Sequence, residues 1–315
     1  MLTGTLFDAA LLAAEHEMTA FHPVNHGGGA DFYRQVLLAP LTAAIADLEV
    51  RPDIRIRGTF EGGDWLATTG HLAGRFVAPL FGIPATGRTT FVRFGRFDRL
   101  RPGAGVGEPG SIVETLLIID LPALMVEAGC WPLGAPLGPS PVAAGPLGHD
   151  GLLPGDDIEL GRQSLKLVED MIAGLKRFDG KNLATTDMRK TWTDDFWWYG
   201  PVPIGTFQGL AAYEVGHQGP FLRAFPDRVG GNHRARIAQG RFVASTGWPS
   251  MTATHLGGDW LGLAPTGRPI TMRIMDWWAC VGGRLSENWV MIDIPELLLQ
   301  MDVDLFARMA VLARR

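Results

Sequence analysis

Apolar positions along the chain change period twice, and each change marks an element boundary. In the second half, Leu165, Val168, Met171, Ile172, Leu175 and Phe178 recur at three- and four-residue spacings, which predicts one amphipathic helix. A second helix is expected from about Gln208 toward Phe225, kinked or split at Gly219-Pro220 because proline has no N–H to donate. From there the period is two. RARIAQGRFVASTG, ITMRIMDWWAC and SENWVMIDI read as strands joined by Gly/Pro turns, and a last helix follows Pro295. Helices grouped before a meander of long strands predict an α+β domain, its helices packed against one face of a curved antiparallel sheet.

The pattern occurs twice. FGIPATGR at 81–88 returns as LGLAPTGR at 261–268, placing Gly82 and Gly262 180 positions apart. WLATTGH (65–71) matches FVASTGW (242–248), HPV (22–24) matches GPV (200–202), and SIVETLLIIDLPALM (111–125) matches LSENWVMIDIPELLL (285–299). The offsets of these blocks differ by a few residues, so insertions fall between blocks, as in a duplicated domain. Between the copies, WPLGAPLGPSPVAAGPLGHDGLLPGDDIELG lacks any period and is rich in proline and glycine, the signature of an extended connection. The expected organisation is a first domain over 1–130, a linker over 131–160 and a second domain over 161–315.

Composition narrows the function classes. At 315 residues, 46% hydrophobic and 19% charged, the chain suits two ordinary globular cores, without an apolar run of membrane-spanning length. A net charge of −5 disfavours nucleic acid or an anionic membrane as partner. The N-terminal MLTGTLFDAALLAAEHEM lacks a basic leader, so a cytoplasmic location is the default expectation. Two cysteines and eight histidines without HExxH or CxxC spacing predict no metal and no disulfide framework. GVGEPG at 105–110 fits a dinucleotide fingerprint in letters only, since it holds a proline and leads into a strand; no cofactor is expected.

Taken in order, GPVPIGTFQG, AFPD, GWPSMTATHLGGDWLGLAPTGRPITMRIMDWW and ENWVMIDIPELLLQM resemble the SnoaL-like polyketide cyclases of the nuclear transport factor 2-like (NTF2-like) superfamily. The second half matches along nearly its whole length, and the first from about Phe21 to Gly129, short of one N-terminal helix. The resemblance implies two cone-shaped domains, each with a ligand cavity, paired through their sheets so that the tandem copy supplies the partner; a further homodimer is left open. It also places the acid/base aspartate at Asp276 and the histidine of a Thr-His pair at His255, where it could reach the cavity mouth.

Strand alternation bears on Asp276 independently. Met272, Ile274, Asp276, Trp278 and Cys280 share one face, so the carboxyl faces apolar companions that disfavour its charged form. Its counterpart in the first copy is Arg96, which cannot serve as a base at neutral pH and has Asp98 two residues away as a partner; the first copy reads as degenerate. Trp197 and Tyr199 share a strand face and, with Trp248, Met272, Ile274, Trp278 and Trp289, form the candidate lining for a small apolar molecule, although core packing accounts for the aromatic residues equally well. Two functions follow. One is an acid/base enzyme in which Asp276 removes a proton beside a carbonyl, leading to aldol cyclisation or isomerisation. The other is a non-catalytic binding or scaffold protein.

Overall fold

The computed structural model describes residues 7–103, 110–138, 143–178, 182–258 and 260–313; most of GVGEPG lies outside the described residues. The first half contains β1 (Leu12–Ala20), β2 (His26–Gly28), α1 (Gly29–Tyr33), α2 (Ala39–Ala44), β3 (Ile45–Phe60), β4 (Gly63–Phe76), β5 (Thr89–Arg101), β6 (Ser111–Ile119) and α3 (Leu121–Glu127). The second half begins with α4 (Ile158–Leu175) and α5 (Met188–Thr191), then repeats that series. It runs β7 (Trp192–Tyr199), β8 (Thr206–Gln208), α6 (Gly209–Tyr213), α7 (Gly219–Ala224), β9 (Val229–Gly230), β10 (Ala235–Gln239), β11 (Phe242–Thr254), β12 (Pro269–Val281), β13 (Arg284–Ile292) and α8 (Ile294–Gln300), with α9 (Leu305–Leu312) at the end.

The two halves form separate sheets of the same topology. Strand order is β2-β1-β6-β5-β4-β3 in one and β8-β7-β13-β12-β11-β10 in the other, with β9 added beside β11. Neighbours pair antiparallel except β1 with β6 and β7 with β13, which are parallel. In each half the first long strand thus lies beside the last, after the chain has crossed over the helical layer. The architecture is α+β: two sheets of the same strand order, each with helices on one face.

Each helical layer contains the same irregularity. Between α1 and α2, and between α6 and α7, one π-turn intervenes, in which Ala39 N–H reaches Arg34 O and Gly219 N–H reaches Glu214 O. Pro40 and Pro220 follow one residue later, and the wider turn accommodates a ring that lacks the N–H of a regular helix. The expected break at Gly219-Pro220 is therefore a π-turn in a continuous helical run. The expected amphipathic helix begins earlier than its periodicity suggested, capped by the Asp157 carboxylate on Leu160 N, and ends before Phe178.

The sheets bury one face against each other. Ile54, Ile56, Trp65, Phe97, Leu116 and Ile118 of the first pack with Tyr199, Ile237, Phe242, Met275, Trp277, Trp289 and Met291 of the second. Phe97 and Trp277 meet with ring centroids 5.2 Å apart. Reciprocal polar contacts flank this core. Buried Arg93 donates to Gly200 O (2.9 Å), Tyr199 O (3.3 Å) and Val290 O (3.2 Å), while Asp120 accepts from Val202 N (3.0 Å). In the other direction Arg273 donates to Ala20 O (3.3 Å), and Asp293 accepts from His22 N (3.0 Å). His22 and Val202 are therefore the equivalent residues, 180 positions apart, which corrects the HPV–GPV alignment by two residues.

The Pro/Gly-rich segment is fastened across both sheets. Trp289 Nε1 donates to Ala144 O (2.7 Å), Leu147 N to the Glu287 carboxylate (3.2 Å), Arg241 Nε to Asp150 (2.7 Å) and Arg55 N to Gly151 O (2.8 Å). Buried Glu287 is thereby occupied as an acceptor for the connection. Among the described residues no helix is long and apolar enough to cross a membrane.

Candidate functional site

A cavity of about 480 Å³ lies in the second half, between the face of β11–β13 and β7 turned away from the first sheet and the layer formed by α4, α6, the π-turn and α7. Cross-strand register arranges its floor in rows. Ser245, Asp276 and Val290 stand side by side, as do Trp278, Asn288 and Trp198, and Ile274 lies opposite Ile292. The helices contribute Met171, Leu175, Tyr213, His217, Gln218 and Phe221. Most of this lining is apolar or aromatic, so its few polar groups act in a poorly screened environment.

Asp276 sits on the floor, half-buried and open to the cavity. Burial disfavours the carboxylate and pushes its pKa up to about 7; a single hydrogen bond from Asn288 Nδ2 (3.3 Å) offsets this in part. The same Asn288 nitrogen donates to Trp277 O (3.0 Å), so the amide is held in place and its orientation toward Asp276 is set. The Tyr213 hydroxyl stands near enough to feel the Asp276 charge, which together with burial holds the phenol well above its ordinary value and hence protonated as a donor. His217 is neutral because burial lowers its pKa to about 3; its ring stacks on Trp198 with centroids 4.1 Å apart. His233, lowered to about 4 by burial and by Arg236 and Lys176, shares a 2.6 Å hydrogen bond with Ser245. The cavity therefore combines one carboxyl able to exchange a proton near neutrality with donors that do not titrate there.

Of the residues expected to line the pocket, Ile274 and Trp278 do so. Met272 shares their strand face but is sealed in the helix-side core. The faces of β7 are the reverse of the expected ones. Trp198, paired with Asn288, faces the cavity, whereas Trp197 and Tyr199 stack on each other (5.9 Å) on the side of the other sheet. Trp289 packs against Tyr199 there (5.4 Å), and Trp248 lies over the Arg273 guanidinium beside the same core. His255 does not reach the cavity mouth. It is fully buried beside Phe225, and its Nδ1 accepts from Thr266 N (3.3 Å), which puts the ring proton on Nε2 and ties the histidine to the Pro-Thr-Gly-Arg turn. Tyr213, Asn288 and Ser245 were missed by sequence reasoning, which saw His217 only as a polar group without a role. Tyr213 and His217 are four residues apart across the π-turn, and Asn288 lies opposite Trp278 in the next strand; strand pairing was the signal that could have found it.

In the first half the corresponding positions close on themselves. Arg96 replaces Asp276 and is fully buried, with Nε 2.7 Å from Asp98 and Nη1 2.7 Å from the Tyr33 hydroxyl. Thr115 donates to Asp98 (2.7 Å) and meets His16 Nε2 (3.0 Å). Asp98 and Thr115 pair across the strands as Trp278 and Asn288 do, so an ion pair with satisfied partners occupies the place of the carboxyl, amide and indole of the second half. Among the described residues no group of His, Cys, Asp and Glu is arranged to hold a metal ion.

Residues 178–301 match the family model described as SnoaL-like polyketide cyclase. Solved structures similar to the chain include AclR from Streptomyces galilaeus, described as a candidate hydroxylase (26% identity, covering 45% of this chain and 82% of that one, TM-score 0.36). Another is IdmH from Streptomyces antibioticus, described as a candidate polyketide cyclase (24%, covering 43% and 98%, TM-score 0.33). A third is a SnoaL-like polyketide cyclase candidate from Jannaschia sp. CCS1 (18%, covering 48% and 97%, TM-score 0.37). No curated protein matches the chain significantly.

Proposed function

We propose that the second domain is an acid/base enzyme of the polyketide cyclase type, in which Asp276 removes a proton from carbon beside a carbonyl of an apolar substrate. The observation that carries this reading is the placement of Asp276 on an apolar cavity floor, open to the cavity, with a pKa near the working range of a general base. The carboxylate takes the C–H proton, the electron pair shifts onto the carbonyl oxygen as an enolate, and the neutral phenol of Tyr213 is the donor available to that oxygen. Attack of the enolate carbon on a second carbonyl of the same substrate would close a ring, with the new alkoxide taking the proton back from the Asp276 carboxyl. Return of the Asp276 proton to a different carbon would instead give isomerisation. Each proton in these steps moves to or from a side chain of this chain.

The test uses 2-tetralone, a neutral bicyclic ketone with acidic α-hydrogens, whose exchange for deuterium is followed by NMR. The full-length protein is expected to accelerate exchange, and Asp276→Asn to lose that acceleration by roughly 10²–10⁴-fold, the usual contribution of a positioned general base. If the variant matches wild type, Asp276 is not the base and a binding protein is the better reading.

A further inference from the structure

Two cations border the cavity without acidic partners, in a chain whose net charge is −5. Arg228, just before β9, is half-buried in the cavity wall, over the ring of Phe178 (5.5 Å) and donating to Leu175 O (3.4 Å), and it makes no ion pair among the described residues. Lys176, at the end of α4, is also unpaired, and its ammonium stands over Gly231, where an added Cβ would lie 2.6 Å from Nζ. Of the other described cations in this half, Arg162, Lys166, Arg177, Lys190, Arg234, Arg236, Arg241, Arg268 and Arg273 have carboxylates within ion-pair distance, and Arg189, Arg223, Arg284 and Arg308, which do not, are exposed side chains that do not line the cavity. A half-buried guanidinium loses hydration that only an anion restores in full, and none is supplied by the described protein. Asp276 lies on the sheet floor, and the Tyr213 hydroxyl feels both its carboxylate and the Arg228 guanidinium.

We infer that the cavity takes an apolar ligand bearing one anionic group, which Arg228 and Lys176 hold at the rim while the apolar body extends over the Trp198, Ile274 and Trp278 floor to Asp276. This rests on the reading of the cavity as the substrate site. It narrows the substrate class to carbonyl compounds that also carry an anionic group, a carboxylate or an ionised phenol. The anion also fixes which end of the molecule enters first, and so which carbon meets the carboxyl.

The experiment compares two fluorescent probes of nearly the same shape, anionic 8-anilinonaphthalene-1-sulfonate and neutral N-phenyl-1-naphthylamine, titrated into the full-length protein. The sulfonate is expected to bind about tenfold more tightly than the neutral probe, the difference made by one charge-assisted contact, and to weaken as salt is raised. Arg228→Gln and Lys176→Gln together should remove that advantage and leave the neutral probe unchanged, which also shows the variant is folded. Arg228→Lys alone should keep most of it. Equal affinities in wild type, or a sulfonate advantage that survives the double substitution, would overturn the inference. So would failure of the sulfonate to bind at all. In each case the deuterium exchange of neutral 2-tetralone still decides separately whether Asp276 is a base.

Discussion

Replacing Asp276 by asparagine tests the buried carboxyl without any substrate, through the pH dependence of stability. In the folded protein burial pushes the pKa of the group up to about 7, against the ordinary value of 3.8 in the unfolded chain. Below the lower value both states are protonated and Asp276 contributes no difference. As pH rises from there the unfolded state ionises first and binds fewer protons, so wild type loses stability until the folded pKa is passed, after which the loss levels off. About three pKa units at 1.36 kcal/mol each give roughly 4 kcal/mol, an upper bound because water entering the cavity would solvate part of the charge. Asp120 and Asp293, also pushed up by burial, impose slopes of the same sign, but they are common to both proteins and cancel in the difference. The assay is urea denaturation of wild type and Asp276→Asn at a series of pH values between about 4 and 8. Expected is a wild-type minus variant stability that falls by about 2–4 kcal/mol across that range. A difference constant within about 0.5 kcal/mol would mean that Asp276 keeps an ordinary pKa and that the cavity floor does not tune it.

Other outcomes follow from the same geometry. The α-proton exchange rate at low substrate should rise with pH and reach a plateau above about 7, because the ionised form of Asp276 is the base; a rate flat across that range would contradict this assignment. Arg273→Met should destabilise by about 3–5 kcal/mol in denaturant titration, since it leaves the Asp293 carboxylate buried without its cation, whereas a loss under about 1 kcal/mol would show that the contact between halves matters little. His255→Asn should leave the exchange rate within about threefold of wild type, because the ring touches the 266–268 turn and not the cavity; a loss as large as that of Asp276→Asn would restore it to the chemistry. Trp289→Phe should leave affinity for the neutral naphthylamine probe unchanged while costing about 1–3 kcal/mol of stability through the unpaired Ala144 carbonyl and lost packing.

Local periodicity determined much of this protein by itself. Alternation in ITMRIMDWWAC put Asp276 on a face with Ile274 and Trp278, and the recurring Gly-Pro-Thr-Gly-Arg turn revealed two similar halves, because strand pitch and turn chemistry depend only on neighbours in the chain. The Arg96–Asp98 pair was legible for the same reason, two residues apart on one face. Which face of β7 meets the cavity was not legible. WWY is aromatic on both sides, and in a strand enclosed between a neighbouring sheet and a helical layer the period of two separates two apolar faces without distinguishing them. Only pairing of Trp198 with Asn288 decides it, and that register joins residues 90 positions apart. His255 shows the complementary case: its motif position was plain, but the hydrogen bond from Thr266 that turns the ring away from the cavity exists only once the turn has folded back. The clasps of Arg93 and Arg273 lie further still from sequence reasoning, because each reaches across to backbone carbonyls of the other half, and a carbonyl carries no residue identity for a sequence to display.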